Sequence, residues 1–353
     1  MKKVKLGEMV QFNPTESIKK DTLAKKISMG KLLPHNKYIV GYDYVNYSAG
    51  PKFRNKDTLL AKITPCLENG KTAFVDILNV NEVAFGSSEF IVLRAIKNAT
   101  DANYIYYLAR SPIFRERAIG CMEGTSGRKR VNDKTLQNEY FSFPDLPTQT
   151  AIANVLSSLD EKIELNNKIN KELEAMAKAL YNYWFVQFDF PDKNGKPYKS
   201  SGGKMVWNEQ LKRNIPERWS VMPLTKYADI LNGATPSTEE NDNYGGNIVW
   251  ITPNDLSKQN NKFVNHGERA ITIKGYNSCS TKLLPINTIL LSSRAPIGLL
   301  SIAKCELCTN QGFKNIVLFD NNDSNYFYYY ILSNMKMIEN LGTGTTFKEI
   351  SGI

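Results

Sequence analysis

The chain repeats itself, and this repeat constrains its fold more than any other feature of the sequence. Residues 101–111 read DANYIYYLARS and residues 323–333 read DSNYFYYYILS, with six of the eleven positions identical. Two further pairs of segments match: Asp57–Leu60 with Asn287–Leu290, and Ile91–Leu93 with Ile316–Leu318. We prefer a tandem duplication of a domain of about 140 residues to chance similarity between Tyr- and Asn-rich stretches, because the matches keep one order.

Each copy has the pattern of a strand-rich α+β domain. Short apolar runs separated by Gly, Pro, Asn and Asp predict strands. The clearest runs are Thr72–Leu78, Phe90–Leu93, Ile248–Ile251 and Ile289–Leu291. Each copy then contains a Tyr-rich stretch that predicts a helix, over Ala102–Arg110 or Tyr326–Leu332. The predicted fold is α+β, with two tandem β-rich domains.

The segment between the copies predicts one long helix of the coiled-coil type. From Thr148, the predicted N-cap, to about Val186 there is no Gly or Pro, and apolar residues recur at heptad spacing. About 38 residues at 1.5 Å each would make a rod of about 57 Å. The residues expected to pack against a partner helix are Ile152, Leu159, Asn166, Ile169, Leu173, Met176 and Leu180. Asn166 is either helix surface or a polar residue that fixes the register with the partner.

These patterns divide the chain into four parts. We expect a first domain over 1–147, a helical spacer over 148–190, a linker over 191–220 and a second domain over 221–353. The sequence of the second copy stops near the position that aligns with Thr135 in the first. A second helical spacer is therefore expected to be missing.

The sequence carries no motif of a free-standing enzyme. Gly70-Lys71-Thr72 is similar to the end of a phosphate-binding loop, but Pro65 stands where that loop needs its first glycine. Neither a dinucleotide fingerprint nor an amino-methyltransferase box is present. Only two histidines exist, and the pair Cys305 and Cys308 lacks a second well-spaced pair. We therefore expect no catalytic residue, no metal and no cofactor.

Charge and hydropathy limit the cellular setting and the partner. No apolar run approaches 18 residues, the N-terminus lacks the apolar core of a signal peptide, and the five cysteines are an odd number. These features predict a cytoplasmic protein without a membrane span. The net charge of +10 favours a polyanionic partner, with nucleic acid first and an anionic membrane surface second.

Nucleic-acid binding has a candidate loop in each copy. Six basic residues lie between Arg110 and Arg130, and the loop at 124–130 reads GTSGRKR. Backbone amides and Lys or Arg suit phosphates, and Arg forks suit guanine edges. The matching stretch at 342–348 reads GTGTTFK; the alternative for both is a solvated surface loop. The predicted DNA contacts are Lys62, Lys71, Arg128, Lys129, Arg130, Arg294, Gln311, Thr345, Thr346 and Lys348.

Several segments resemble the DNA sequence-specificity subunit of type I restriction–modification systems. They are DTLLAKITPCLENGKTAF at 57–74, GSSEFIVLRA at 86–95, ILLSSRAPIG at 289–298 and NQGFKNIV at 310–317. The strongest match is 143–188, where Pro144, Pro147 and Gln149 precede the helix as in the family. The resemblance covers essentially the whole chain.

The resemblance implies a subunit without catalysis of its own, which serves DNA methylation and restriction. Two target-recognition domains would each read half of a split site in double-stranded DNA. The subunit would dock methyltransferase subunits and ATP-dependent restriction subunits. Family members pack two helical spacers antiparallel, so this chain is expected to pair its helix in a homodimer or with a second specificity chain. The alternative function is a non-enzymatic coiled-coil interaction protein with duplicated β-rich ligand-binding domains.

Overall fold

The structure is a computed structural model that describes residues 2–125, 127–259, 261–294, 296–343 and 349–350, except for the side chains of Lys2 and Asn321. The chain divides into two compact units, Met1–Lys171 and Glu172–Ile353. Each unit contains one copy of the repeat.

The first unit consists of short strands and short helices. Its strands are β1 (Lys2–Lys5), β2 (Val10–Phe12), β3 (Leu23–Ile27), β4 (Asp43–Asn46), β5 (Lys52–Phe53), β6 (Thr58–Ala61), β7 (Thr72–Phe74), β8 (Ala84–Gly86), β9 (Phe90–Ala95), β10 (Met122–Glu123), β11 (Arg130–Val131) and β12 (Tyr140–Phe143). Its helices are α1 (Leu6–Met9), α2 (Ala102–Arg110), α3 (Pro112–Gly120) and α4 (Asp133–Asn138). Two four-stranded sheets have the orders β2-β9-β6-β7 and β4-β3-β8-β5, while β1 pairs with β12 and β10 with β11.

The middle strands of the first sheet are apolar on both faces. All four residues of β6 are buried. Leu60 and Ile91 pack in one cluster with helix α2, whereas Leu59 and Val92 pack in a second cluster on the other face. Successive strand side chains point to opposite faces. A continuous apolar run therefore forms a strand that is covered on both sides.

The central helix, α5, spans Leu146–Tyr181 and continues into a π-helical turn over Asn182–Val186. The prediction of Thr148 as its N-cap is wrong. The side chain of Asp145 accepts a hydrogen bond from the Thr148 N–H at 3.0 Å, so Asp145 caps the helix. Pro147 lies inside the first turn, where its missing N–H has no intrahelical partner to lose. In the described part of the chain, no helix is long and apolar enough to cross a bilayer.

The second unit repeats the architecture of the first. Its strands are β13 (Met205–Asn208), β14 (Arg213–Pro216), β15 (Ala228–Asn232), β16 (Tyr244–Ile251), β17 (Phe263–Val264), β18 (Arg269–Ile271), β19 (Ile289–Ser292), β20 (Leu300–Ala303), β21 (Cys308–Thr309) and β22 (Phe313–Leu318). Its helices are α6 (Pro253–Gln259), α7 (Ile273–Asn277), α8 (Ser324–Ser333) and α9 (Met335–Asn340). The sheets have the orders β15-β22-β19-β20-β17 and β18-β16-β21, and β13 pairs with β14 within the predicted linker.

Strand topology confirms the predicted fold of two tandem α+β domains. The order β2-β9-β6-β7 in the first unit recurs as β15-β22-β19-β20 in the second. In the other sheet, β3 pairs antiparallel with β4 and parallel with β8; β16 pairs likewise with β18 and β21. The predicted helix Ala102–Arg110 is observed with those bounds, and the second Tyr-rich stretch lies in α8. The run Thr72–Leu78 forms a strand only as far as Phe74.

Candidate nucleic-acid interface

In the first unit, the basic loop is held by a hairpin that lies against the turn after β6. The Val131 N–H donates to the Lys62 carbonyl at 2.8 Å, and the Thr64 N–H donates to the Lys129 carbonyl at 3.0 Å. The Lys62 N–H in turn donates to the Glu89 carbonyl at 2.9 Å. The fold therefore brings Lys62 next to the loop that precedes β11, although the sequence separates them by more than sixty residues.

Within this loop, one arginine is held by a carboxylate. Nε of Arg130 donates to the two carboxylate oxygens of Glu89 at 3.1 and 2.9 Å, and Nη2 donates at 2.8 Å. The Arg130 hydrogen bond lowers the pKa of Glu89. Arg128 and Lys129 are exposed beside this pair. The pair orients the guanidinium and leaves Nη1 as a donor for a ligand.

The basic run that begins at Arg110 has more than one use in the folded protein. Arg110 lies 3.8 Å from the carboxylate of Asp160 and donates to the His35 carbonyl. Arg117 lies 3.5 Å from the Glu139 carboxylate and also donates to the Tyr140 carbonyl. These two cations join segments of the unit. The members of the run that are left for a ligand are Arg115, Arg128 and Lys129, together with the open edge of Arg130.

Lys71 has a structural contact that its sequence context did not indicate. Its Nζ donates to the Met29 carbonyl at 3.2 Å, and the side chain is half-buried. The preceding Gly70 has φ +72°, and a Cβ at this position would lie 2.6 Å from Cε1 of His35. The Gly-Lys-Thr segment is therefore a tightly packed turn between β6 and β7.

The second unit forms the same backbone frame. The Ser293 N–H donates to the Gly312 carbonyl at 2.8 Å, and the Ile350 N–H donates to the Ser293 carbonyl at 3.0 Å. Arg294 forms an antiparallel bridge with Glu349, which itself exchanges hydrogen bonds of 3.0 and 2.9 Å with Thr343. These contacts reproduce those of Lys62, Ile63 and the hairpin β10–β11 in the first unit.

This frame fixes the correspondence between the two candidate interfaces. Lys62, Glu89 and Arg130 of the first unit correspond to Ser293, Gly312 and Glu349 of the second. Six residues separate Glu123 from Arg130, whereas five separate Thr343 from Glu349. Glu89 and Glu349 are not among the predicted contacts, because the prediction rests on cations, amides and hydroxyls. The feature of the sequence that could identify them is their position next to segments that are themselves predicted to contact DNA.

The other predicted contacts of the second unit are partly described. Arg294 is half-buried and pairs with Glu349, and Gln311 is exposed with its Oε1 accepting a hydrogen bond from Thr235. Thr345, Thr346 and Lys348 lie outside the described residues.

Comparison with known proteins places the chain in a family. The sequence profile of the family described as type I restriction modification DNA specificity domain matches residues 1–175 and 216–352. The chain belongs to this family. We refer to the parts of these two ranges that lie outside the central helix as the first and second specificity domains.

Relatives of these specificity domains match different shares of their own length. The MjaIX specificity subunit of Methanocaldococcus jannaschii is 39% identical over 155 residues, which are 42% of this chain and 36% of that subunit. The HindI specificity subunit of Haemophilus influenzae is 25% identical over 341 residues, or 82% of this chain and 72% of that subunit. A crystal structure of a type I restriction–modification S subunit from M. genitalium shares the fold. Its TM-score is 0.51 at 16% identity, covering 96% of this chain and 78% of that one.

The central helix beside the first specificity domain carries an exposed apolar stripe. Ile152 packs against the core of that domain. Five other predicted packing residues are between 43% and 67% exposed: Leu159, Ile169, Leu173, Met176 and Leu180. Asn166 is also exposed. This stripe offers a large apolar surface for a partner helix or subunit.

The cysteine pair of the second specificity domain belongs to its fold. Cys308 is buried in β21, and burial raises the pKa of its thiol to about 11. Such burial disfavours the thiolate that a metal ligand requires. Among the described residues, no group of three or more His, Cys, Asp or Glu side chains is placed to hold a metal ion.

Proposed function

We propose that this chain is the non-enzymatic DNA-binding subunit of a type I restriction–modification system. One observation carries the proposal: both specificity domains build the same backbone frame, but present different side chains on it. Two readers with one frame and different contacts suit a bipartite target with unequal halves. The relatives, which are named specificity subunits, support this function.

The proposed DNA contacts divide by their chemistry. In the first domain, Arg128, Lys129 and Lys62 bind phosphates, and Arg130 presents its open edge to guanine. Lys71 contributes positive charge while its ammonium holds the turn. In the second domain, the proposed contacts are Arg294, Gln311, Thr345, Thr346 and Lys348.

The proposed domain arrangement places the catalytic partners on the helix. We assign recognition domains to 1–147 and 221–353, the helical spacer to 148–190 and a linker to 191–220. The spacer sets the distance between half-sites, and its exposed stripe pairs with the helix of a second copy or of another specificity chain. Methyltransferase subunits dock on the helical spacer and act on a flipped base in the cytoplasm. Restriction subunits join the complex.

Methylome sequencing tests the proposal directly. A host that carries this chain with the methyltransferase of its own system should acquire one split methylated motif with a fixed spacer. A host with the methyltransferase alone should lack it. If the two methylomes are identical, the proposed function is wrong.

Salt dependence tests the loop of the first domain. Arg128→Ala with Lys129→Ala should reduce the slope of log affinity against log salt by about 2. The loss of two phosphate contacts lowers the number of counterions that are released on binding. Fluorescence anisotropy with a duplex of the methylated motif measures this slope. Lys193→Ala with Lys196→Ala removes equal charge outside both proposed recognition domains and should leave the slope unchanged. An unchanged slope in the first variant would exclude the loop as a phosphate-binding element.

A further inference from the structure

The first specificity domain contains a buried lysine that contacts the central helix. Lys37 is only 6% exposed. Its Nζ donates to the hydroxyl of Tyr107 on α2 at 3.2 Å and to Oγ of Ser157 on α5 at 3.0 Å. The Tyr107 hydroxyl donates in turn to Oδ2 of Asp160 at 2.7 Å. One ammonium and one hydroxyl therefore connect the domain to a single turn of the helix.

Aromatic rings and a carboxylate surround the ammonium of Lys37. Nζ lies 5.3, 5.8 and 5.1 Å from the ring centroids of Phe74, Tyr106 and Tyr107. Burial lowers the pKa of Lys37, while the carboxylate of Asp160 acts in the opposite sense. A desolvated cation is costly unless its partners stay in place, so sliding of the helix would strand it.

The second specificity domain has an equivalent lysine. Nζ of Lys262 lies 3.4 Å from the hydroxyl of Tyr329, which occupies the same repeat position as Tyr107, and 4.5 and 5.1 Å from the ring centroids of Tyr329 and Tyr328. Burial lowers the pKa of Lys262, and Glu174 of the central helix opposes this shift. The lysine–tyrosine contact therefore occurs in both copies, and in the first copy it extends by hydrogen bonds to the central helix.

Backbone pairing places the two lysines at the same edge of the sheet. The Lys37 carbonyl accepts from the Phe74 N–H of β7 at 2.9 Å, and the Lys262 carbonyl accepts from the Ile302 N–H of β20 at 2.8 Å. The strands β7 and β20 occupy corresponding positions in the two sheet orders. The lysine–tyrosine contact therefore has the same place in the fold of both copies.

We infer that Lys37 is a positioning residue that fixes the first specificity domain at one register of the central helix, and thereby fixes the position of that domain's half-site relative to the other half-site. This inference rests on the proposed function. Apolar contacts alone tolerate small shifts along a helix, whereas a buried hydrogen-bonded charge selects one alignment. Loss of the ammonium should therefore allow a wider range of spacings between the two half-sites, without changing the bases that each domain reads.

Selection from a randomised duplex library with the full chain tests the inference. The wild type should enrich two half-sites at one spacing. Lys37→Met keeps the aliphatic stem, and Tyr107→Phe removes only the hydroxyl. Both variants should enrich the same half-sites, with the preference for the wild-type spacing weakened about tenfold, as expected for a lost hydrogen bond to a charged group. Lys134→Met, which removes an exposed lysine of the same unit, should behave as the wild type.

Amide hydrogen exchange provides a readout that does not depend on DNA. Peptides covering Ala153–Asp160 should exchange about tenfold faster in Lys37→Met and Tyr107→Phe than in Lys134→Met. If the wild type enriches no bipartite motif, the proposed function fails, and faster exchange would still support the helix contact. A single unchanged spacing in both Lys37→Met and Tyr107→Phe, or unchanged exchange in both, overturns the inference.

Discussion

The two specificity domains share a backbone frame but differ in charge at its centre. The first domain places Lys62, Glu89 and Arg130 around the hairpin, where the second places Ser293, Gly312 and Glu349. The hydrogen bonds that build the frame come from backbone groups in both domains. Side chains can therefore change without loss of the frame. This separation allows one fold to present either a donor or an acceptor at the same position of the frame.

The same contrast extends to the interior. In the first domain, Arg94 donates to both carboxylate oxygens of the buried Asp57 at 2.6 Å and to Glu16 at 2.6 Å. At the same positions of the backbone frame, the second domain has Thr288 and Val317, which cannot form this network. The stability of the first domain therefore depends on a buried charge cluster, and the second domain has uncharged residues at the positions of Asp57 and Arg94.

Removal of the buried arginine should have the largest effect and should be confined to the first domain. Arg94→Ala leaves Asp57, whose side chain is 1% exposed, without its partner. The expected loss is about 3–5 kcal/mol of unfolding free energy, measured by urea denaturation. The double variant Asp57→Asn with Arg94→Ala removes the unpaired charge and should recover part of the lost unfolding free energy. Equal losses in the single and double variants would show that the ion pair is not the cause.

The unequal charges of the two hairpins predict independent effects on the two half-sites. Arg130→Ala should relax selection at a guanine of one half-site by about 1–3 kcal/mol, because an arginine fork is lost. Glu349→Ala should relax selection only in the other half-site, at a base that offers an amino group. Selection from a randomised duplex library measures both. Relaxation of the same half-site by both substitutions would contradict the assignment of one hairpin to each half.

The fold was largely predictable because its determinants are local. The helix Ala102–Arg110 was predicted with the observed bounds, and the Asp101 side chain caps it by accepting from the Tyr104 N–H at 2.9 Å. The start of the central helix was misplaced because Pro147 was treated as lying outside it, although proline is tolerated in a first turn.

The site was less predictable because its contacts join distant parts of the chain. Arg117 belongs to a basic run in the sequence, but its partner Glu139 lies on another segment, and the fold pairs this charge with a carboxylate. Lys37 and Ser157 are 120 positions apart, and neither belongs to a recognisable motif. The composition of the two basic or Gly/Thr-rich loops is visible in the sequence. The place of the acids Glu89 and Glu349 beside them becomes visible only from the backbone pairing of the folded chain.

The ion pair between Glu89 and Arg130, which the second domain lacks, should produce the smallest effect. Because the folded state lowers the pKa of Glu89, the pair stabilises the first domain above the ordinary carboxylate range, and this contribution is lost as pH falls through the folded pKa. Because solvent screens a partly exposed pair, this contribution is small. The stability of Glu89→Gln relative to wild type should thus be lower at pH 7 and approach it in acid. A difference that persists unchanged at low pH would mean that Glu89 acts through packing and that the charge of the pair is not what distinguishes the two domains.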